Sequence, residues 1–173
     1  MDSNIYLSPH FSLKEMTDSQ TAVRYGITNV PSEQEIENLR RLCQGTLEPL
    51  REVLQLPVVI TSGFRTKALN YNLAHSSERS QHMQGYAADF YLSSADSKVQ
   101  GEEAPSRREL LIKAFREILM NPKIDFDQII LYPSFIHVSY VSNNANRRGI
   151  LKAHGNGKLG YGRLSLADAL SIS

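Results

Sequence analysis

The run Phe135-Ile136-His137-Val138 places an imidazole inside an otherwise apolar, strand-like segment. A polar ring buried there costs free energy unless its nitrogens find partners. Any fold of this chain must therefore bring polar groups to His137. Upstream, Ser80-Gln81-His82-Met83-Gln84-Gly85-Tyr86-Ala87-Ala88-Asp89 offers a second imidazole and a carboxylate. His82, Asp89 and His137 are ligands of the kind that zinc accepts, and three of them leave a fourth position for water. Singly, each has a plainer reading, as a hydrogen-bonded core histidine or a solvated loop residue. The whole pattern, Ser-x-His-x-x-Gly-x-Ala-x-Asp with a later hydrophobic-hydrophobic-His, is far more specific than any member. Gly85 lets the chain turn sharply, and Ala87 and Ala88 leave the approach uncrowded.

A chain of 173 residues with 41% hydrophobic and 21% charged content is ordinary globular material. It is expected to form a single domain over 1–173 with a core that needs neither disulfide nor structural metal. The formal charge of +1 comes from scattered Lys and Arg with no dense basic face, which excludes a nucleic-acid partner. The single cysteine, Cys43, lies among Leu39, Leu42 and Leu47 and reads as a buried helix position. No apolar run approaches 18 residues, and no secretory signal opens the chain, so stable membrane insertion is not expected. The expectation is a monomer, cytoplasmic at synthesis, that stays where it is made or is released by other means.

Three sequences of capping-box form, Ser12/Glu15, Ser32/Glu35 and Ser106/Glu109, mark helix starts. The second opens the main helix, whose Ile36, Leu39, Leu42, Cys43, Leu47, Leu50 and Leu54 make one apolar stripe over about five turns. Pro49 inside it predicts a kink or break near Thr46. The third opens an amphipathic helix through Leu110, Leu111, Ala114, Phe115, Ile118 and Leu119 that stops at Asn121-Pro122. Leu56 to Ser62 and Ala87 to Leu92 read as strands, with a polar loop from Ser93 to Ser106. Phe126 to Leu131 and Phe135 to Tyr140 read as a hairpin around Tyr132-Pro133-Ser134. The segment 142–173 has no assigned structure beyond a helical turn at Ser165/Asp168. Helices flanking a small, mostly antiparallel sheet give an α+β fold.

Ser62-Gly63-Phe64-Arg65, Ser80 to Asp89, and Phe126-Asp127-Gln128-Ile129-Ile130 leading into Phe135-Ile136-His137-Val138 resemble the zinc D-alanyl-D-alanine carboxypeptidases with their phage-endolysin and hedgehog-like relatives. The opening Phe11-Ser12-Leu13-Lys14-Glu15-Met16 looks like the leader of small phage and bacterial members, and the resemblance spans about 8–141. It implies the hedgehog/DD-peptidase-like fold, zinc on His82, Asp89 and His137, and cell-wall stem peptides as the partner. It also implies that Arg65 pairs with an anionic group of the substrate and that Ser80 lies close by as a hydrogen-bond donor. Arg65 makes independent sense, since a planar guanidinium grips a carboxylate bidentately.

The chain departs from that family where it matters. Relatives place a Glu or Asp shortly before the last histidine as general base; here stand Tyr132, Pro133 and Ser134, and position 86 is also Tyr. If Leu131 opposes Phe135, Ile129 opposes His137 and Asp127 becomes its diagonal neighbour. Asp127 is then a substitute catalytic base, or a partner that orients the imidazole through its other ring nitrogen. Two functions follow: a zinc peptidase of cell-wall peptides, or a peptidoglycan-binding or virion structural module that kept the fold without turnover. A hedgehog-like interaction domain is a third. His10 reads as solvated or as a staple beside the first helix, and His75 and His154 as loop residues.

Overall fold

The structure is a computed structural model that describes residues 5–73, 76–93, 105–153 and 161–173. His75 and His154 lie outside the described residues, as does much of the loop expected between Ser93 and Ser106. β1 (Tyr6–Ser8) and β2 (Phe11–Ser12) form a two-stranded antiparallel pair. α1 (Leu13–Thr17) follows, its first turn capped by the Ser12 hydroxyl, which accepts from the Glu15 amide at 3.2 Å. α2 (Gln20–Tyr25) starts at a Ser19 cap and ends on Gly26.

α3 (Glu33–Leu42) begins with the expected capping box, in which Ser32 and Glu35 each satisfy the other's backbone amide. It runs without a gap through a π-helical turn, Cys43–Leu47, into α4 (Glu48–Leu54). That wide turn is the kink predicted near Thr46, and Pro49 explains it. Proline has no N–H for the carbonyl four residues back and its ring crowds that carbonyl. The carbonyl in question belongs to Gly45, and it accepts instead from the Asp125 amide at 3.1 Å, while Glu48 N–H reaches back to Cys43. The widened turn thus ties the rod to the segment that enters the later hairpin.

After β3 (Val58–Ser62) come α5 (Lys67–Tyr71), a 3-10 turn at Gln81–Gln84, β4 (Ala87–Leu92) and α6 (Arg107–Met120), the last on the expected Ser106/Glu109 capping box. β5 (Gln128–Leu131) and β6 (Ile136–Ser139) make the hairpin, and β7 (Gly149–Ala153), β8 (Tyr161–Arg163) and α7 (Leu166–Leu170) complete the chain. The six-stranded sheet has the order β3-β4-β6-β5-β7-β8 and is antiparallel except where β7 runs parallel to β5. Fold class is therefore α+β, as expected. The tail, unassigned from sequence, supplies one edge of the sheet.

One face of the sheet is core. Ala88, Phe90 and Leu92 of β4, Ile136 and Val138 of β6, and Ile129 and Leu131 of β5 are buried against Leu42, Leu50, Leu111 and Phe115 of the helices. Strand alternation then turns Asp89, His137 and Ile130 to the other face. Ala88 belongs to the core layer, so of the two alanines only Ala87 lies on the Asp89 face.

The hairpin register differs by one residue from the expected one: Leu131 opposes Ile136 and Ile130 opposes His137. Tyr132 donates its backbone N–H to Phe135 O at 3.0 Å, which shortens the loop to Pro133-Ser134. A one-residue slip reverses every side chain. The expected register would have turned Ile129 and Leu131 out of the core, where they are 0% and 1% exposed. Burying those two side chains contributes roughly 1.5–3 kcal/mol each and decides the register.

His10 is exposed, as expected, with 48% of its side chain accessible, but it also makes a specific contact. Its ring Nδ1 and backbone N–H (3.1 Å) both engage the buried Glu48 carboxylate, which also accepts from Ser8 Oγ at 2.7 Å. These bonds fasten the β1–β2 pair to α4. Burial alone would raise the Glu48 carboxyl, but the hydrogen bonds from His10 and Ser8 outweigh it and hold the carboxyl below its ordinary 4.5. A depressed carboxyl stabilises the fold above its unfolded value and loses that contribution as pH falls through the folded value. Glu48→Gln should therefore be less stable than wild type at pH 7 by about 1–3 kcal/mol, with the gap shrinking below about pH 4.5; urea melts at the two pH values measure it.

A second contact holds the sheet to α1. Phe64 donates its backbone N–H to Met16 O at 2.7 Å, and a methyl group on Gly63 would come within 2.3 Å of that same oxygen. Gly63→Ala should cost about 1–3 kcal/mol through forced backbone displacement, read as a lowered thermal midpoint; an unchanged midpoint would show that α1 moves aside freely.

Candidate metal centre

Each ligand is placed by a different device. His82 lies on the 3-10 turn, which closes at Gly85 with φ 71°. That left-handed conformation suits glycine, and a side chain there would also strike Glu35 O at 2.5 Å. Asn38 of α3 donates to Gln84 O at 2.8 Å, and Arg65 N–H bonds His82 O at 3.2 Å, so the turn is pinned from two sides. Asp89 and His137 are directly opposite one another on β4 and β6. A cross-strand pair shares one face, so the two side chains meet without help from any loop.

The three ligand atoms converge. His82 Nε2 is 3.2 Å from His137 Nδ1 and 3.3 Å from Asp89 Oδ1, and His137 Nδ1 is 2.8 Å from Asp89 Oδ1. Ligands at 2.0–2.1 Å around a tetrahedral ion lie about 3.3–3.4 Å apart, so two edges of the triangle already match and the third needs a shift of about half an ångström. Among the described residues this is the one group of three His, Cys, Asp or Glu whose atoms come together in this way. His82 Nδ1 bonds the Gly63 carbonyl at 2.7 Å. That places the proton on Nδ1 and leaves the Nε2 lone pair for a cation. The residues present fit a divalent metal.

The electrostatics agree. Burial pushes the His82 imidazole down from its ordinary value, against the pull of Asp89, which keeps the ring neutral. Burial alone would raise the Asp89 carboxyl, but its contacts with His82 and His137 outweigh that and hold it far below the usual carboxylate range. A neutral imidazole and an ionised carboxylate are the protonation states in which these groups ligate a cation.

The centre forms part of the wall of a cleft of about 730 Å³. Arg65, Ser80 and Asp127, singled out from sequence, line the same cleft. Arg65 reaches Asp89 Oδ2 at 2.8 Å and His82 Nε2 at 3.3 Å, with its Nε on Ser62 Oγ at 2.9 Å. Its guanidinium therefore touches the ligand cluster itself. Asp127 is different: its hydrogen bonds do not include the imidazole of His137, and the hairpin register sets Ile130 opposite that residue. Its carboxylate, 1% exposed, accepts from Arg147 N–H at 2.8 Å, Arg147 Nε at 2.9 Å and Gln81 Nε2 at 2.9 Å. Burial raises its carboxyl, but Arg147 and Gln81 outweigh that and hold it below the ordinary range, opposite to the shift that a base poised near pH 7 requires. Asp127 therefore reads as an anchor of the cleft wall.

Sequence reasoning missed Ser62, Gln81 and Arg147. Ser62 and Gln81 lie inside the quoted motifs and were open to notice. Arg147 is one of an adjacent pair in a tail without periodicity, and nothing in composition separates it from Arg148, which instead pairs with Asp125 at 3.0 Å and lies over the Phe126 ring.

Comparison with curated proteins gives no match. A family model described as Peptidase M15 matches residues 9–109, more than half of the chain. The matched span contains Arg65, Ser80, His82 and Asp89, and the structure brings His137, which lies beyond it, to the same point. By that match the chain belongs to the Peptidase M15 family.

Proposed function

We propose that this chain is a zinc-dependent peptidoglycan peptidase, hydrolysing a peptide bond beside a D-amino acid in cell-wall stem or cross-bridge peptides. The observation that carries the reading is the convergence of His82 Nε2, Asp89 Oδ1 and His137 Nδ1 within 3.3 Å of one another at the wall of an open cleft. A zinc ion held by those three residues supplies Lewis acidity to a scissile carbonyl and lowers the pKa of water. The chain's own residues do the rest. Arg65, fixed by Ser62, offers its guanidinium to a substrate carboxylate. Ser80, at the head of the His82 turn, donates to the substrate backbone. Tyr132 and Phe135, with ring centroids 4.2 Å apart, form an apolar wall of the cleft close to the centre. The partner is the stem peptide, bound by a monomer. No helix among the described residues is long and apolar enough to cross a membrane, and the reading includes release to the wall or carriage on a virion.

One observation favours a second reading, a peptidoglycan-binding or virion module without turnover. Among the described residues lining the cleft the carboxylates are Asp89 and Asp127, and both are held by other side chains. Proton transfer during hydrolysis would then fall to water or to a group brought by the substrate.

Zinc titration should show one site per chain, with a stabilisation of about 2.7 kcal/mol at a hundredfold excess over Kd, and His137→Ala should abolish both. Metal analysis and thermal melts test this, and full zinc retention by His137→Ala would remove the basis of the reading. For catalysis, Arg65→Ala should lower kcat/KM for peptides ending in D-Ala-D-Ala on the order of a hundredfold, with Arg65→Lys restoring part of it. A zinc-loaded wild type that binds purified peptidoglycan and releases no new amine or amino acid from it would favour the binding module.

A further inference from the structure

We infer that Arg147 is a second carboxylate-recognition point in the cleft, so that the substrate is an acidic peptide with a free carboxylate besides the one read by Arg65. The identity of the ligand rests on the peptidase reading above; the geometry of the guanidinium does not. Arg147 borders the same cleft as His82 and His137. Its side chain is 64% exposed, yet the carboxylate that holds it is 1% exposed. Nε and Nη2 are spent on Asp127, and the backbone N–H of Arg147 is fixed to the same carboxylate at 2.8 Å.

A guanidinium has five N–H donors in a planar fork. The edge carrying Nε faces Asp127, which leaves the Nη1 end without a partner among the described residues. That end has the geometry to take a carboxylate bidentately with the remaining Nη2 donor. The arrangement is also rigid in advance, since the buried carboxylate has already removed the rotamer freedom that a free arginine loses on binding. Asp127 cancels the charge of Arg147 at a distance, so the attraction is directional at short range and contributes little to long-range steering. Arg65 cannot serve both ends of such a substrate: it is 13% exposed and already engaged with Ser62 and Asp89. A plain wall clamp would need only the Asp127 edge.

The test uses the full chain loaded with zinc and a set of synthetic pentapeptides ending in D-Ala-D-Ala, in which each non-terminal carboxylate is in turn free or amidated. Both kcat/KM and the calorimetric Kd are measured. Amidation at one position should weaken both on the order of tenfold. Arg147→Gln should collapse that ratio towards one and leave the dependence on the terminal carboxylate intact. The double variant Asp127→Asn/Arg147→Gln, which keeps a neutral hydrogen-bonded pair, should behave in the same way and covers the case in which the single variant does not fold. Cleavage of all peptides without discrimination overturns this inference and leaves the peptidase reading standing. Acid-selective, Arg147-dependent binding without cleavage supports the inference and removes the peptidase reading. A preference that survives Arg147→Gln, or no binding of any peptide, overturns the inference.

Discussion

The antiparallel pairing of β4 with β6 is the constraint on which the site depends. It sets Asp89 directly against His137 and, by alternation, sets Phe90, Ala88, Ile136 and Val138 on the opposite face of the same two strands. The core and the Asp89–His137 pair are therefore two faces of one register. Sliding either strand by one residue would turn apolar side chains into the cleft and the ligands into the core. Burial of that apolar face, worth roughly 1.5–3 kcal/mol per large side chain, is what holds two ionisable groups at hydrogen-bond distance in a place where neither would go alone.

His82 depends on a different set of restraints, and they show how far a local motif needs the rest of the chain. The turn that carries it closes on Gly85, rests on α3 through Asn38, and presents Nδ1 to the carbonyl of Gly63. Gly63 is itself pressed against the end of α1. The orientation of one imidazole is thus linked to the packing of the N-terminal helices, which lie within the matched span that opens at residue 9.

Much of this was legible in the sequence. Capping boxes at Ser32/Glu35 and Ser106/Glu109 marked the two long helices because such boxes are made by neighbouring residues and need no tertiary context. Pro49 foretold the widened turn around Thr46 for the same reason. The convergence of His82, Asp89 and His137 was legible because their types and spacing are rare together. What escaped was everything fixed by partners distant in sequence. The hairpin register turned on whether the loop had two or three residues, a choice made by core burial of Ile129 and Leu131. The β7 and β8 strands lie in a segment of ordinary polarity whose pairing with β5 no periodicity reveals. Arg147 acquires its meaning only because β7 returns beside β5 and brings it to Asp127.

That last pairing bears on why the described residues of the cleft offer no free carboxylate. A buried, ionised Asp127 would be costly by itself, since removing a charge from water costs several kcal/mol before compensation. Five donor contacts from Arg147 and Gln81 supply the compensation, and each of them also fixes something else. Gln81 immediately precedes His82, so the bond from its side chain to Asp127 ties the ligand-bearing turn to the β5–β6 hairpin that carries His137. The carboxylate joins the two halves of the centre from behind. A group with that duty must stay ionised to keep its donors, whereas a general base must gain and lose a proton in each turnover. The two demands are incompatible at one residue, and the hydrogen-bond pattern assigns Asp127 to the first.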